Sequence, residues 1–173
     1  MLASQTVVDV TIQALESVAP APQAIALAKH PGGSFTFFSP LHPVNPSDWV
    51  LGQPARVALA AIALKIEPAD PERLAANGLA ADLAALIPAR LAYPGVESRP
   101  DWHAFHGPVT KVEKLEVEGR VLWRMRIALL RAADVVLEAT VYASADYVGY
   151  DFLPETGEVL TGLLWLSGYR PGD

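Results

Sequence analysis

The densest run of chemistry-bearing side chains in the sequence is Asp101-Trp102-His103-Ala104-Phe105-His106. Imidazoles three positions apart share a face if the segment is helical, and Asp101 can add an oxygen donor, so the three together could hold a divalent metal. His30 and His42 are the other histidines, and no spacing brings them near. Pro100 before the run and Gly107-Pro108 after it leave little room for such a helix, and zinc sites draw ligands from more than one segment. The competing reading is a loop pinned by Trp102 and Phe105, with the histidines solvated or bonded to backbone. The bracketing residues favour that reading, and no cofactor is expected.

Other catalytic arrangements are weaker. The chain has no cysteine, which excludes disulfides, thiolate nucleophiles and cysteine-ligated metals. No serine stands in a G-x-S-x-G elbow, and Ser167-Gly168 lacks the preceding glycine and the following helix. Glu155 and Glu158 flank a turn, where carboxylates are ordinarily solvated. His30-Pro31-Gly32-Gly33 has neither a phosphate-loop lysine nor a dinucleotide spacing. An enzyme is not the favoured reading.

Recognition by stacking is a different matter. Trp49 and Trp102 fall in segments that read as loops and are expected at the surface, whereas Trp123 and Trp165 lie in apolar strands and are expected in the core. Arg124 and Arg126 share one face of a strand. They are candidate ligand-binding residues together with the two loop tryptophans, although cross-strand pairing with Glu113 or Glu138 is the ordinary use of such arginines.

The elements that must position these residues are mostly strands. In residues 6–18, Val8, Val10 and Ile12 alternate with Asp9, Thr11 and Gln13. Residues 24–28 and 34–39 form a hairpin around His30-Pro31-Gly32-Gly33, and residues 40–54 read as a proline-rich loop. Residues 57–66 suit either helix or a fully buried strand, and strand is preferred. Asp70-Pro71 starts a helix extending to about residue 91. Residues 109–117 and 121–131 form a hairpin about Glu118-Gly119. A third strand follows the turn at Ala132-Ala133-Asp134, and a last one covers 159–166.

The fold expected is mainly β with a helical segment (α+β), built as antiparallel small barrels. The C-terminal strands resemble a closed barrel of the OB type, at the level of fold only. Leu51-Gly52-Gln53 before one uncharged run echoes Thr156-Gly157-Glu158 before another, which would make the chain two OB-like units joined by a helix. The organisation read from this is a charge-poor β unit at 1–92 with a helix at about 70–91, a linker at 93–108, and a barrel-like unit at 109–173, able to pack as a single domain.

Composition narrows the function. The 173 residues are 51% hydrophobic and 18% charged, with a net charge of −6. That charge disfavours nucleic acid. The best apolar run, Val57 to Leu64, ends at Lys65 and falls short of the roughly 20 residues of a membrane span, and no basic-then-apolar leader precedes Lys29, so a cytoplasmic protein is expected. In residues 1–66 the only charged side chains are Asp9, Glu16, Lys29, Asp48, Arg56 and Lys65. A stretch so poor in charge is expected to be covered, and a binding or assembly module acting on a protein partner or a second copy is the first reading. A metal-dependent enzyme and a barrel-face binder of sugars or single strands are the alternatives.

Overall fold

The computed structural model describes residues 6–18, 23–40, 49–76, 84–88, 99–145, 148 and 152–171. Its elements are β1 (Thr6–Val18), β2 (Gln23–His30), β3 (Gly33–Ser39), β4 (Pro54–Pro68), α1 (Pro71–Ala76), β5 (Ala85–Pro88), β6 (Trp102–Val117), β7 (Arg120–Ala132), β8 (Val135–Ser144) and β9 (Val159–Tyr169). All nine strands belong to one sheet, which closes on itself twice.

The first ring runs β1-β2-β3-β9-β4 and returns to β1; the second runs β6-β7-β8-β4-β9 and returns to β6. In each, one junction is parallel: Phe38 of β3 beside Ser167 of β9, and Thr140 to Tyr142 of β8 beside Ala60 to Ile62 of β4. These are five-stranded OB-like barrels, as the sequence led us to expect, and they share β4 and β9. Closure leaves few open sheet edges.

The echo between the two glycine turns is structural. Gly52 and Gly157 both have positive φ, 77° and 91°. Gly52 N donates to Ile12 O and Gly157 N to Val109 O, both at 2.8 Å. The register irregularity between Ile12 and Ala14 against β2 recurs between Val109 and Lys111 against β7. Counted from the two glycines, Ala61 and Leu166 are the same position, and they pair with each other across β4–β9. A local twofold axis therefore passes between them, relating β1 to β6, β2 to β7, β3 to β8 and β4 to β9.

Alternation fixes which side chains fill the rings. Val8, Val10 and Ile12 are buried while Asp9 is exposed, and Met125, Ile127 and Leu129 of β7 and Leu137, Ala139 and Val141 of β8 are buried in the same way. The buried side chains of both rings form one continuous core. The apolar residues of the charge-poor stretch are largely spent here: Phe35, Phe37, Val57 and Leu59 are all inside.

The helix is shorter than the sequence predicts. Asp70 caps it as expected, its Oδ1 accepting from Glu72 N at 2.9 Å and Arg73 N at 3.3 Å, and the described helix covers Pro71–Ala76. Leu86, expected on a helical stripe, instead belongs to the extended β5, which pairs with residues 103–106 of β6. Of the segment expected as a linker at 93–108, everything from Trp102 onward is strand. Gly107 lies where a Cβ would fall 1.9 Å from Ala128 O, so the glycine permits a close crossing of β7 rather than marking a loop. The expectations for residues 41–48, 77–83 and 93–98 fall outside the described residues. No described helix is long and apolar enough to cross a membrane.

Candidate binding face

Because residues 102–108 are strand, His103 and His106 point to opposite faces of β6, and the shared helical face that would pair them does not form. Among the described residues no group of three or more His, Asp or Glu side chains could hold a metal ion. His42 lies outside the described residues. His30 is buried elsewhere, its Nδ1 accepting from Gly32 N at 3.0 Å.

His103 is fully buried. Its Nε2–H donates to Thr36 O on β3 at 2.7 Å, which fixes the tautomer and leaves Nδ1 as a lone-pair acceptor with no hydrogen-bond partner among the described residues. Burial pushes this imidazole below its ordinary value, opposed by the Thr36 hydrogen bond and the charge of Asp101. The side chain stitches β6 to β3 across the two rings.

Asp101 is completely buried and committed to neighbours. Arg99 grips it through Nε to Oδ1 at 3.1 Å and Nη2 to Oδ2 at 2.9 Å, and Trp165 Nε1–H donates to Oδ2 at 2.6 Å. Its main-chain oxygen accepts from Leu166 N at 3.0 Å. Above it the Arg99 guanidinium lies 5.5 Å from the Trp165 ring centre and 5.9 Å from that of Phe38, and the two rings are 5.5 Å apart. The hydrogen bonds to Asp101 raise the Arg99 pKa further above its ordinary value. Asp101 thus pins the strand start of β6 to β9, and its oxygens are occupied.

Around this pin the registers line up a row of outward side chains. Arg124 of β7 pairs with Tyr142 of β8, Tyr142 with Ile62 of β4, Ile62 with Trp165 of β9, and Trp165 with Trp102 of β6. Directly paired residues turn to the same face of a sheet, so these five share the outside of the second ring. A second row, Arg126–Thr140–Ala60–Ser167, runs beside it. Ile62 sits in the middle and is 47% exposed, although the strand around it is largely buried. Arg124 forms an ion pair with Glu113, which also takes Lys111 at 2.6 Å; Arg126 approaches Glu138 at 3.9 Å. Burial together with the nearby Tyr142 hydroxyl raises the Tyr169 pKa above its ordinary value.

Trp102 and Arg124 therefore stand at opposite ends of one outward row, with Arg126 on the row beside it, and Trp49 belongs to neither. Expected at the surface, it is buried, donating Nε1–H to Ser39 Oγ at 3.1 Å and meeting Phe37 edge-on at 5.8 Å. Trp165, expected in the core, is half-buried on the outer face, and Trp123 is half-buried against the core. Arg99, Phe38 and Ile62 were not singled out, since only the strand order makes them neighbours of Tyr142 and the tryptophans. As for catalysis, Ser167 Oγ is bonded to Ala60 O at 3.2 Å, and the Glu158 carboxylate accepts from Glu155 N in the turn. The arrangement offers a stacking and apolar surface with charge-balanced margins.

No protein-family model matches the chain, and no curated protein matches it. Among solved structures it is similar to the cytoplasmic molybdate-binding protein ModG, in a crystal form with molybdate bound, with a TM-score of 0.47, 14% sequence identity, and coverage of 98% of this chain and 99% of that one.

Proposed function

We propose that the protein is a non-catalytic binding module that associates with a second copy of itself through the face centred on Ile62. The observation that carries this reading is the row Arg124–Tyr142–Ile62–Trp165–Trp102, with an exposed aliphatic side chain at its middle and aromatic residues on both sides. Aromatic and arginine residues around an apolar centre are the composition of interface hot spots. A sugar or a base would stack on the tryptophans but gain little from Ile62. A nucleic-acid strand needs unmatched cations, whereas Arg99 and Arg124 are paired with carboxylates. The same pairing favours a second copy: with a net charge of −6, two chains repel wherever their charges are not locally balanced.

Sedimentation velocity tests this. The wild type should show a concentration-dependent dimer, Ile62→Glu should sediment as a monomer with an unchanged far-UV spectrum, and Val117→Glu, at another exposed apolar residue, should still dimerise. A wild type that stays monomeric at roughly 100 µM, where an interface of standard size would form, overturns the proposal, as does a dimer that survives Ile62→Glu.

A further inference from the structure

The internal twofold makes the two rings each other's control, and they differ at one sheet edge. In the second ring the N-terminal part of β6 has two neighbours: β9 on one edge over residues 102–108, and β5 on the other over residues 103–106. In the first ring the matching part of β1 pairs with β4 from Thr6 to Thr11, and its other edge meets β2 only from Thr11 onward. Among the described residues, nothing pairs with the outer edge of β1 at residues 6–10.

Alternation identifies the groups concerned. Ile12 O faces Gly52 on the β4 side, so Val10, Val8 and Thr6 also bond toward β4. Val7 and Asp9 then direct their main-chain N–H and C=O groups to the open edge. Their counterparts are Ala104 and His106, which pair with Ile87 and Ala85 of β5. Side-chain burial agrees: His106 is buried beneath the covered edge, whereas Asp9, at the same place in the other ring, is exposed. Unpaired main-chain donors and acceptors in a row are a template for another strand.

We infer that the β1 edge at Val7 and Asp9 receives an extended segment of a partner protein, added antiparallel as β5 is added to β6. The internal copy describes the occupant's chemistry. β5 is Ala85-Leu86-Ile87-Pro88, uncharged, with Leu86 buried opposite Phe105. The residue opposite Leu86's counterpart would be Val8, which is apolar and faces the core. Pro88 pairs with His103, whose main-chain groups turn toward β9, so a proline is tolerated at that end. The ligand class is therefore a short apolar strand segment without charge, held by main-chain bonds to Val7 and Asp9. This edge is separate from the Ile62 face, and neither proposal depends on the other.

A fluorescently labelled peptide with the sequence of residues 84–89, titrated with the full chain and followed by anisotropy, tests the inference. Saturable binding is expected. Val7→Pro removes a donor that faces the open edge and leaves the β4 ladder intact, and should weaken binding roughly tenfold, the worth of one hydrogen bond and a shifted edge. Peptides methylated on main-chain nitrogen give a readout that does not depend on folding of the variant. Methylation at the isoleucine, which faces the edge, should abolish binding, and methylation at the leucine, which faces away, should leave it. No saturable binding, affinity unchanged in folded Val7→Pro, or equal loss with both methylated peptides would overturn the inference.

Discussion

Asp101→Ala should be among the most destabilising single changes at this site. The carboxylate is fully buried and accepts three hydrogen bonds, two from Arg99 and one from Trp165. Breaking a buried pair by removing one partner costs about 3–5 kcal/mol, because the other charge is stranded. Here the stranded partner is the Arg99 side chain, which is 41% exposed and recovers part of its hydration, so the lower end applies, about 3 kcal/mol. Asp101→Asn keeps the shape and can still accept from Trp165, and should lose about half as much, roughly 1.5 kcal/mol. The main-chain bond from Leu166 survives both changes, so the difference reports the side chain alone. Urea unfolding followed by tryptophan fluorescence and far-UV circular dichroism measures both values, and a cycle with Arg99→Met isolates the pair, with a coupling of about 1–2 kcal/mol expected. A loss below about 1 kcal/mol for Asp101→Ala, or no coupling in the cycle, would refute the view that this pin fixes β6 to β9.

Two further sets of variants probe the ring junctions. Burial lowers the pKa of His103, and of His30, below the ordinary imidazole value of about 6.5, so the unfolded chain binds more protons between the lowered folded value and about 6.5. Stability should therefore fall as pH drops through about 6.5 and flatten below the folded value; His103→Gln, which can still donate to Thr36 O, should reduce the slope and leave the part due to His30. Urea midpoints measured across that interval check this, and a slope unchanged in His103→Gln counts against a buried neutral imidazole. Gly107→Ala and Gly162→Ala would drive a Cβ to 1.9 Å from Ala128 O and 2.0 Å from Lys65 O, and each should cost more than about 2 kcal/mol. Gly119→Ala meets open space and carries only the strain of φ 76°, about 1 kcal/mol; thermal melts that rank Gly119→Ala as the worst of the three would contradict the close strand crossings.

The strands that were legible in the sequence are those whose two faces differ in polarity. β1, β7 and β8 alternate visibly, and the turns at Gly33 and Gly119 carry residues suited to their backbone. The start of β6 was not legible because Gly107 and Pro108 are read as breakers wherever the neighbouring strands are unknown. In the fold, Gly107 is where β7 crosses and Pro108 pairs with Val159 on the β9 side, beyond the end of β5 and before the first β7 pair at Val109. Each removes a group that nothing there would have used.

Trp49 and Trp165 were assigned to the wrong places for a related reason. Residues 163–166 are Leu-Leu-Trp-Leu, apolar on both faces, so periodicity cannot say that Leu164 and Leu166 point inward and Trp165 outward. Trp49 sits just before a turn, but Ser39 supplies an acceptor for its indole N–H inside the core. The low charge of residues 1–66 follows the same logic. β4 lies between β9 and, in succession, β1 and β8, and it contributes to both rings, so its uncharged run from Val57 to Leu64 reflects burial within the chain itself and requires no partner. What argues for association is the parity of a single position: Ala61 and Ala63 face the core, which leaves Ile62 outward, a residue that burial in either ring does not explain.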